Sequence, residues 1–490
     1  MEPPSQVMKR RSMQRAPAHL AKILDFDVGL DHGAYTFTHG GVHLWSQVRA
    51  YLGVRLYDIL SNTDFEGASA SGATPTLKYV ADSWRRRHGA SGAGGRSDVI
   101  IFGSAVGNIA QAPTGEQFNW LTDYAACSLD CRTQIVELSD RWRYPWPRAY
   151  PDVSTFHDWV QLQAKLRQRL HGVEPRDQRT IERFLLALRD AFGEYLTDAD
   201  FSSMRHTLMT VARRAGIWMR LYDCYFQRRQ PRLVQIEGAC YGGAWPFVMR
   251  SARAAGAVVA EFQHGYIGRD HYAYNYAPAL MASSFCEDLP DYFLAYGSYW
   301  ARQISISSQI EVVGSPRMAE GKAKLASVRP GADILLASTG LGVEVYTATV
   351  DALLRSMPEA GSVVFRPHPS ERAVAATRYQ ALLSRPRVRL DDTPDVYRSI
   401  AQSMLVVGDL STLMYEALGL GRSVRIIDTE ATRERMSADL FQFLDDRTIA
   451  GEIVALMAAP HGCGATQLAS ESIWASDWKA RYRAFVGRFL

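Results

Sequence analysis

Four short apolar runs between positions 334 and 428 constrain this chain most. They are Ile334-Leu335-Leu336-Ala337, Ser362-Val363-Val364-Phe365, Met404-Leu405-Val406-Val407 and Ser423-Val424-Arg425-Ile426-Ile427. Short apolar runs of this length read as strands covered on both faces. Their alternation with helical segments calls for a parallel sheet. In such sheets ligands bind beyond the carboxyl ends of the strands. Two of the turns there are dense in chemistry. One is Arg366-Pro367-His368-Pro369-Ser370-Glu371, and the other is Gly408-Asp409-Leu410-Ser411-Thr412, with Glu416 four residues on. Each opens a segment of helical periodicity. A helix start offers unpaired N–H groups and the positive end of the dipole, which suit a phosphate. The two turns are expected to form halves of one nucleotide pocket.

The same alternation runs upstream through Asp98–Phe102, Gln134–Leu138, Leu233–Glu237, Ala257–Phe262, Tyr292–Tyr296 and Ile310–Val313. Residues 153–230 interrupt it with long 3.6-residue periodicity and no glycine-rich loops. Two or three helices are expected there, near 154–171, 177–197 and 199–228, as an insertion or cap. The expected organisation is a flexible lead-in at 1–20 and an N-terminal α/β domain over 21–315 that holds the insertion. A C-terminal nucleotide-binding α/β domain over 316–490 follows, with a linker at Lys322–Pro330. The final stretch, Ser472–Leu490, reads as an amphipathic helix. The fold class is therefore α/β, with two Rossmann-like domains built on parallel sheets.

Length and composition agree with this. A chain of 490 residues, 47% hydrophobic and 22% charged, can bury large cores without disulfides. Its formal charge of +4 does not mark a nucleic-acid binder. Local basic clusters occur at Lys9-Arg10-Arg11 with Arg15, at Arg85-Arg86-Arg87 and at Arg228-Arg229. They are solvated faces or contacts to an anionic membrane surface or substrate. The six scattered cysteines fit reduced thiols in a cytoplasmic protein rather than a zinc site. No apolar run approaches the ~18 residues that span a bilayer, so any membrane contact is expected to be peripheral. The N-terminus has charges but no apolar core behind them, unlike a secretory signal.

Within the C-terminal turns, Pro369 restricts His368 to extended backbone and aims its imidazole out of the sheet's end. It then meets a phosphate or is satisfied by nearby backbone. Arg366 adds a charged contact or pairs with Glu371. One hydroxyl of Ser411 and Thr412 caps the helix, and the other is available to a phosphate. Glu416 reaches a ribose hydroxyl or is simply a favourable acid near a helix start. The turn Ser338-Thr339-Gly340-Leu341-Gly342 ends the first strand of this half. Three histidines, His32, His39 and His43, invite a metal or acceptor-sugar site, but Gly40-Gly41 lies between them. Asp25-Phe26-Asp27 and Asp198-Ala199-Asp200 are read as surface or cap carboxylates.

Together, Arg366-Pro367-His368-Pro369 and Asp409-Leu410-Ser411-Thr412 leading to Glu416-Ala417-Leu418-Gly419 resemble the donor domain of GT-B glycosyltransferases. The resemblance is to bacterial capsule and lipopolysaccharide enzymes that use cytidine nucleotide sugars, and to teichoic-acid glycerophosphotransferases. It covers about 316–440 well, 232–315 loosely, and 1–230 hardly at all. It implies a GT-B fold with the two sheets facing across a cleft. It further implies a nucleotide-sugar donor held by Arg366, His368, Pro369, Asp409, Ser411, Thr412, Glu416, Ser338, Thr339 and Gly340, with no metal and no cofactor. On the opposite wall it makes His264, in Gln263-His264-Gly265-Tyr266, the candidate general base, since an imidazole of pKa about 6.5 suits that task. Glu237 is the rival base. Gln263, Arg269, His271 and Tyr272 are candidates for the glycan or lipid-linked acceptor. The implied activity is sugar transfer in surface polysaccharide synthesis. Polyol-phosphate transfer, sugar-nucleotide 2-epimerisation and a non-catalytic binding module are the alternatives.

Overall fold

The computed structural model describes residues 17–61, 76–106, 108–112, 114–140, 142–339, 341–368, 371–372, 374–393, 395–458 and 467–490. The expected lead-in lies almost wholly outside them, as do Lys9, Arg10, Arg11, Arg15, Gly340 and Pro369.

The first half contains β1 (Val99–Ser104), a small antiparallel pair β2 (Ile109–Gln111) and β3 (Gln117–Asn119), β4 (Thr133–Leu138), β5 (Val153–Ser154) and β6 (Leu233–Glu237). It continues with β7 (Val258–Phe262), β8 (Tyr292–Ala295) and β9 (Gln309–Val312). Apart from the small pair, these strands form one seven-stranded parallel sheet in the order β5-β4-β1-β6-β7-β8-β9. The second half adds β10 (Ile334–Ala337), β11 (Val363–Arg366), β12 (Val388–Leu390), β13 (Leu405–Gly408), β14 (Ser423–Ile426) and β15 (Gln442–Phe443). They form a parallel sheet in the order β12-β11-β10-β13-β14-β15. Both orders run outward from a central first strand and reverse once, as in a Rossmann sheet. That reversal creates a crevice between β1 and β6 in one half and between β10 and β13 in the other. The chain is thus an α/β protein of GT-B architecture.

The apolar runs are continuous because both faces of each sheet are covered. In β1, Ile100 and Phe102 join the core with Trp218, Tyr222 and Phe226 of the long helix Asp198–Arg229. Val99 and Ile101 face the other way, toward Trp478, Tyr482 and Phe485 of the final helix Trp478–Gly487. The helical insertion is therefore one covering layer of the first sheet, formed by Phe156–Arg167, Pro175–Phe192 and Asp198–Arg229. The other layer includes the end of the chain. The limits expected from sequence put residues 478–490 with the second sheet; their side chains pack on the first. The expected linker at 322–330 begins inside the helix Pro316–Lys324.

Several polar motifs resolve into structure. Asp200 completes a capping box with Thr197 and binds Arg55 at 2.9 Å. Asp27 is buried rather than on the surface, accepting from Trp45 Nε1 at 2.7 Å and Arg49 at 2.8 Å. Arg229, one of the basic cluster, is buried and donates to the carbonyls of His88 and Gly95. The three N-terminal histidines diverge. His32 stacks on Trp45, His39 faces Glu174, and His43 lies between Asp288 and Ser284. Among the described residues no helix is long and apolar enough to cross a membrane.

Candidate functional site

At the crevice of the second sheet, Asp409 follows β13 and is fully buried. Its carboxylate accepts from the Thr339 N–H at 3.4 Å and from the hydroxyls of Thr339 and Tyr346. Tyr346 in turn accepts from the N–H groups of Thr339 and Leu341, each at 3.1 Å. Burial pushes the Asp409 carboxyl up, against those hydrogen bonds. Asp409 and Thr339 therefore fasten the loop after β10 to the loop after β13. Both Asp409 oxygens are spent on that fastening.

Arg366 ends β11 on the same face as Val364, two residues before it, and is buried. It donates to Asp391 at 2.6 Å and to the Thr393 carbonyl at 3.0 Å. This corrects the expected pairing with Glu371. The physical reason is that the strand's last side chain turns inward, where an unpaired guanidinium would be costly. Glu371 instead accepts from Ser338 Oγ at 2.9 Å and Tyr379 at 2.8 Å, and from the His368 N–H at 3.3 Å. Ser338, expected at the donor, is thereby held inward.

Four of the expected residues remain at the rim: His368, Ser411, Thr412 and Glu416 are all partly exposed. Burial lowers the His368 pKa, although the charges of Glu371 and Asp409 pull it up, so the ring is neutral near pH 7. Ser411 is the cap: its Oγ accepts from the Leu413 N–H at 3.2 Å at the start of the helix Thr412–Gly419. Thr412 occupies the first turn beside it. Glu416 accepts from Tyr397 at 3.0 Å.

In the first sheet, Glu237 ends β6 and accepts from the Ser104 N–H at 2.7 Å and from Asn108 at 2.9 Å. Burial, with the charge of Glu137 adding to it, pushes this carboxyl up to about 7. Both its oxygens hold the loop after β1, which argues against the rival-base role. Gln263, after β7, is also buried. It accepts from the Tyr296 N–H at 2.8 Å and donates to the Gly265 carbonyl at 3.0 Å, which shapes the turn and withdraws it from an acceptor.

His264 and His271 come together around a residue that sequence reading missed, Tyr241. Its hydroxyl lies 3.4 Å from His264 Nε2 and 3.2 Å from His271 Nε2. Burial lowers the pKa of both imidazoles, that of His271 to about 4. Tyr272 lies against Gly53 so closely that a Cβ there would be 2.2 Å from the ring. Arg269 is exposed.

The two sets of loops abut. The rings of Tyr266 and Tyr415 are 5.9 Å apart, and the Tyr299 and Tyr415 hydroxyls are 3.4 Å apart. Arg317 lies between the rings of Trp120 and Tyr397, at 4.3 and 4.9 Å. Burial works to lower its pKa, but the charge of Glu416 leads the influences that hold it up. Sequence reading missed Arg317, Tyr296 and Tyr241. Each stands just after a strand end, the one signal that could have flagged them.

No family model matches the chain, and no curated protein sequence matches it. Among solved structures, a UDP-GlcNAc 2-epimerase from Neisseria meningitidis bound to UDP-GlcNAc aligns at 12% identity and a TM-score of 0.40. That alignment covers 80% of this chain and 98% of the other. The lipopolysaccharide outer core galactosyltransferase WaaB aligns at 12% and 0.40, covering 80% and 99%. The wall teichoic acid polymerase TagF aligns at 11% and 0.41, covering 84% and 92%. Similarity at this level assigns no residue and no activity.

Proposed function

We propose that the chain is a glycosyltransferase that moves a sugar from a nucleotide donor to a hydroxyl of a glycan or lipid-linked acceptor. One observation carries the reading. The loop bearing His264 packs, through Tyr266, against Tyr415 of the helix whose start holds Ser411 and Thr412. A neutral imidazole and a phosphate-suited helix start thus share one seam between two Rossmann crevices. The donor's phosphate meets His368, Thr412 and the positive dipole end of that helix, whose Leu413 and Met414 N–H groups are already held by Ser411. Hydrogen bonds to a charged group contribute roughly 1.5–3 kcal/mol each, so several together hold a nucleotide. The acceptor lies against His264, His271, Tyr272 and Arg269. His264 is the ultimate proton acceptor. A cytidine nucleotide sugar is the donor the motif resemblance favours, and surface polysaccharide synthesis the setting. In this reading the enzyme works in the cytoplasm, with peripheral contact to an anionic membrane.

The test is a thermal-shift screen with cytidine, uridine, guanosine and thymidine nucleotides, followed by turnover with the sugar and polyol-phosphate forms of the best binder. A ligand at about a hundred times its Kd adds about 2.7 kcal/mol. His368→Ala and the double change Ser411→Ala with Thr412→Ala are expected to weaken binding about tenfold or more. Stabilisation by no nucleotide, or unchanged affinity in both variants, would sink the site. Product analysis separates sugar transfer from polyol-phosphate transfer and from 2-epimerisation, which needs no acceptor.

A further inference from the structure

Tyr241 ends a short turn that follows β6 and the left-handed Gly238. The far nitrogens of its two histidine partners set the direction of every hydrogen bond in the group. His264 Nδ1 lies 3.3 Å from the Phe262 carbonyl, which can only accept, so Nδ1 carries the hydrogen. In the neutral ring Nε2 then holds the lone pair, and the Tyr241 hydroxyl donates to it. His271 Nδ1 accepts from the Ala273 N–H at 3.3 Å, so the His271 hydrogen sits on Nε2 and is donated to the Tyr241 oxygen. The chain reads His271 to Tyr241 to His264, one way only.

This wiring matters for the proposed transfer. The single lone pair of His264 is already taken by Tyr241, so an incoming hydroxyl cannot use it directly while the chain is intact. The Tyr241 oxygen still has acceptor capacity. The residue is 37% exposed, whereas the His264 side chain is 20% exposed. Behind the pair, Glu261 accepts from Tyr274 and from the Cys240 thiol, and its Oε1 lies 3.9 Å from His264 Nδ1. Burial pushes the Glu261 carboxyl up to about 7, against the hydrogen bonds from Tyr274 and Cys240, and its ionised form is placed to face an imidazolium.

We infer that Tyr241 is the group that takes the proton of the attacking hydroxyl while handing its own to His264. The inference rests on the transfer reading above. The acceptor O–H donates to the Tyr241 oxygen. As the acceptor oxygen bonds to the sugar's anomeric carbon, the bond from that carbon to the phosphate oxygen breaks. The nucleotide leaves with the electron pair. The acceptor's proton passes to Tyr241, and the Tyr241 proton passes to His264 Nε2. The phenol is neutral before and after, and the imidazolium later releases its proton to water.

Tyr241→Phe keeps the ring and removes the hydroxyl. Two measurements on the full chain decide the matter. Nitrogen NMR of ¹⁵N-histidine-labelled protein reads the tautomers, and turnover is measured with the CMP- or UDP-linked sugar that stabilises the protein most. His264 is expected with its hydrogen on Nδ1 and His271 with its hydrogen on Nε2. Tyr241→Phe is expected to lose about 100-fold or more in turnover at unchanged nucleotide affinity. Adding it to His264→Ala is expected to cost little further, because the two act as a unit. Reversed tautomers, turnover within about threefold of wild type, or losses that multiply in the double variant overturn the relay. A wild-type protein that turns over no donor removes the transfer reading and the catalytic role with it. The tautomers then still report separately on the wiring.

Discussion

Arg435 Nε lies 2.6 Å from Asp270 Oδ2, joining the helix Glu430–Arg435 of the second half to the loop that carries His271 and Tyr272 in the first. Arg435 also donates to the Tyr57 hydroxyl at 2.8 Å, and Tyr266 donates to Asp270 at 3.0 Å. Burial works to raise the Asp270 carboxyl, but the charge of Arg435 and these hydrogen bonds hold it below the usual range. Removing one partner leaves the other buried and unpaired. Arg435→Met is therefore expected to cost about 3–5 kcal/mol in denaturant unfolding. Adding Asp270→Asn is expected to return most of that loss. Equal stability of Arg435→Met and wild type would show that the two halves do not depend on this bridge.

Asp409 makes a second prediction, confined to the second half. Asp409→Ala leaves the N–H and hydroxyl of Thr339 and the hydroxyl of Tyr346 without their shared acceptor. Each unsatisfied buried donor costs roughly 1–3 kcal/mol. The variant is expected to unfold at least about 3 kcal/mol more easily and to bind nucleotide more weakly, because the loop after β10 is released. Weaker nucleotide binding without any loss of stability would instead mean that Asp409 touches the ligand.

Acid should weaken the fold through its buried histidines. Burial lowers His157 to about 3 and His32 to about 4, both far below an unfolded histidine near 6.5. Each is neutral when folded and takes up a proton on unfolding. Its contribution is therefore full above the unfolded value and is lost as pH falls from there toward the folded one. Between pH 7 and pH 5 each should remove ~2 kcal/mol. His157→Gln should show a correspondingly shallower loss of stability over that interval. Parallel pH profiles for the variant and wild type would contradict the assignment.

The last helix offers a test of long-range packing. Trp478 is buried against the first sheet although it follows the second in sequence. Trp478→Ala is expected to cost about 3–5 kcal/mol. Hydrogen exchange should place the loss in β1, β7 and β8, with β10 and β13 protected as before.

Legibility differed between strands and side chains. The central strands β1, β6, β10, β11 and β13 were readable because they are buried along almost their whole length, whereas the short strands β2, β3, β5, β12 and β15 have no such apolar run and were not read. The crevices followed from the alternation. Side-chain roles were less readable. Arg366 and Asp409 stand in turns that invite a phosphate, yet both are held by partners distant in sequence, Asp391 and Thr339. Gln263 and Glu237 likewise serve the shape of their loops. Tyr241 escaped notice because nothing local distinguishes a tyrosine that meets two histidines 23 and 30 residues away.

By itself the sequence determined two parallel α/β halves, where their central strands lie, and which turns stand at the carboxyl ends of those strands. These are consequences of local periodicity and of covering a sheet on both faces. Tertiary structure alone decided which polar groups turn inward, that the final helix covers the first sheet, and that the Tyr241 hydroxyl meets Nε2 of both His264 and His271. The reason is physical: burial and hydrogen-bond partnership depend on what the rest of the chain brings alongside a residue, and a one-dimensional pattern does not carry that information.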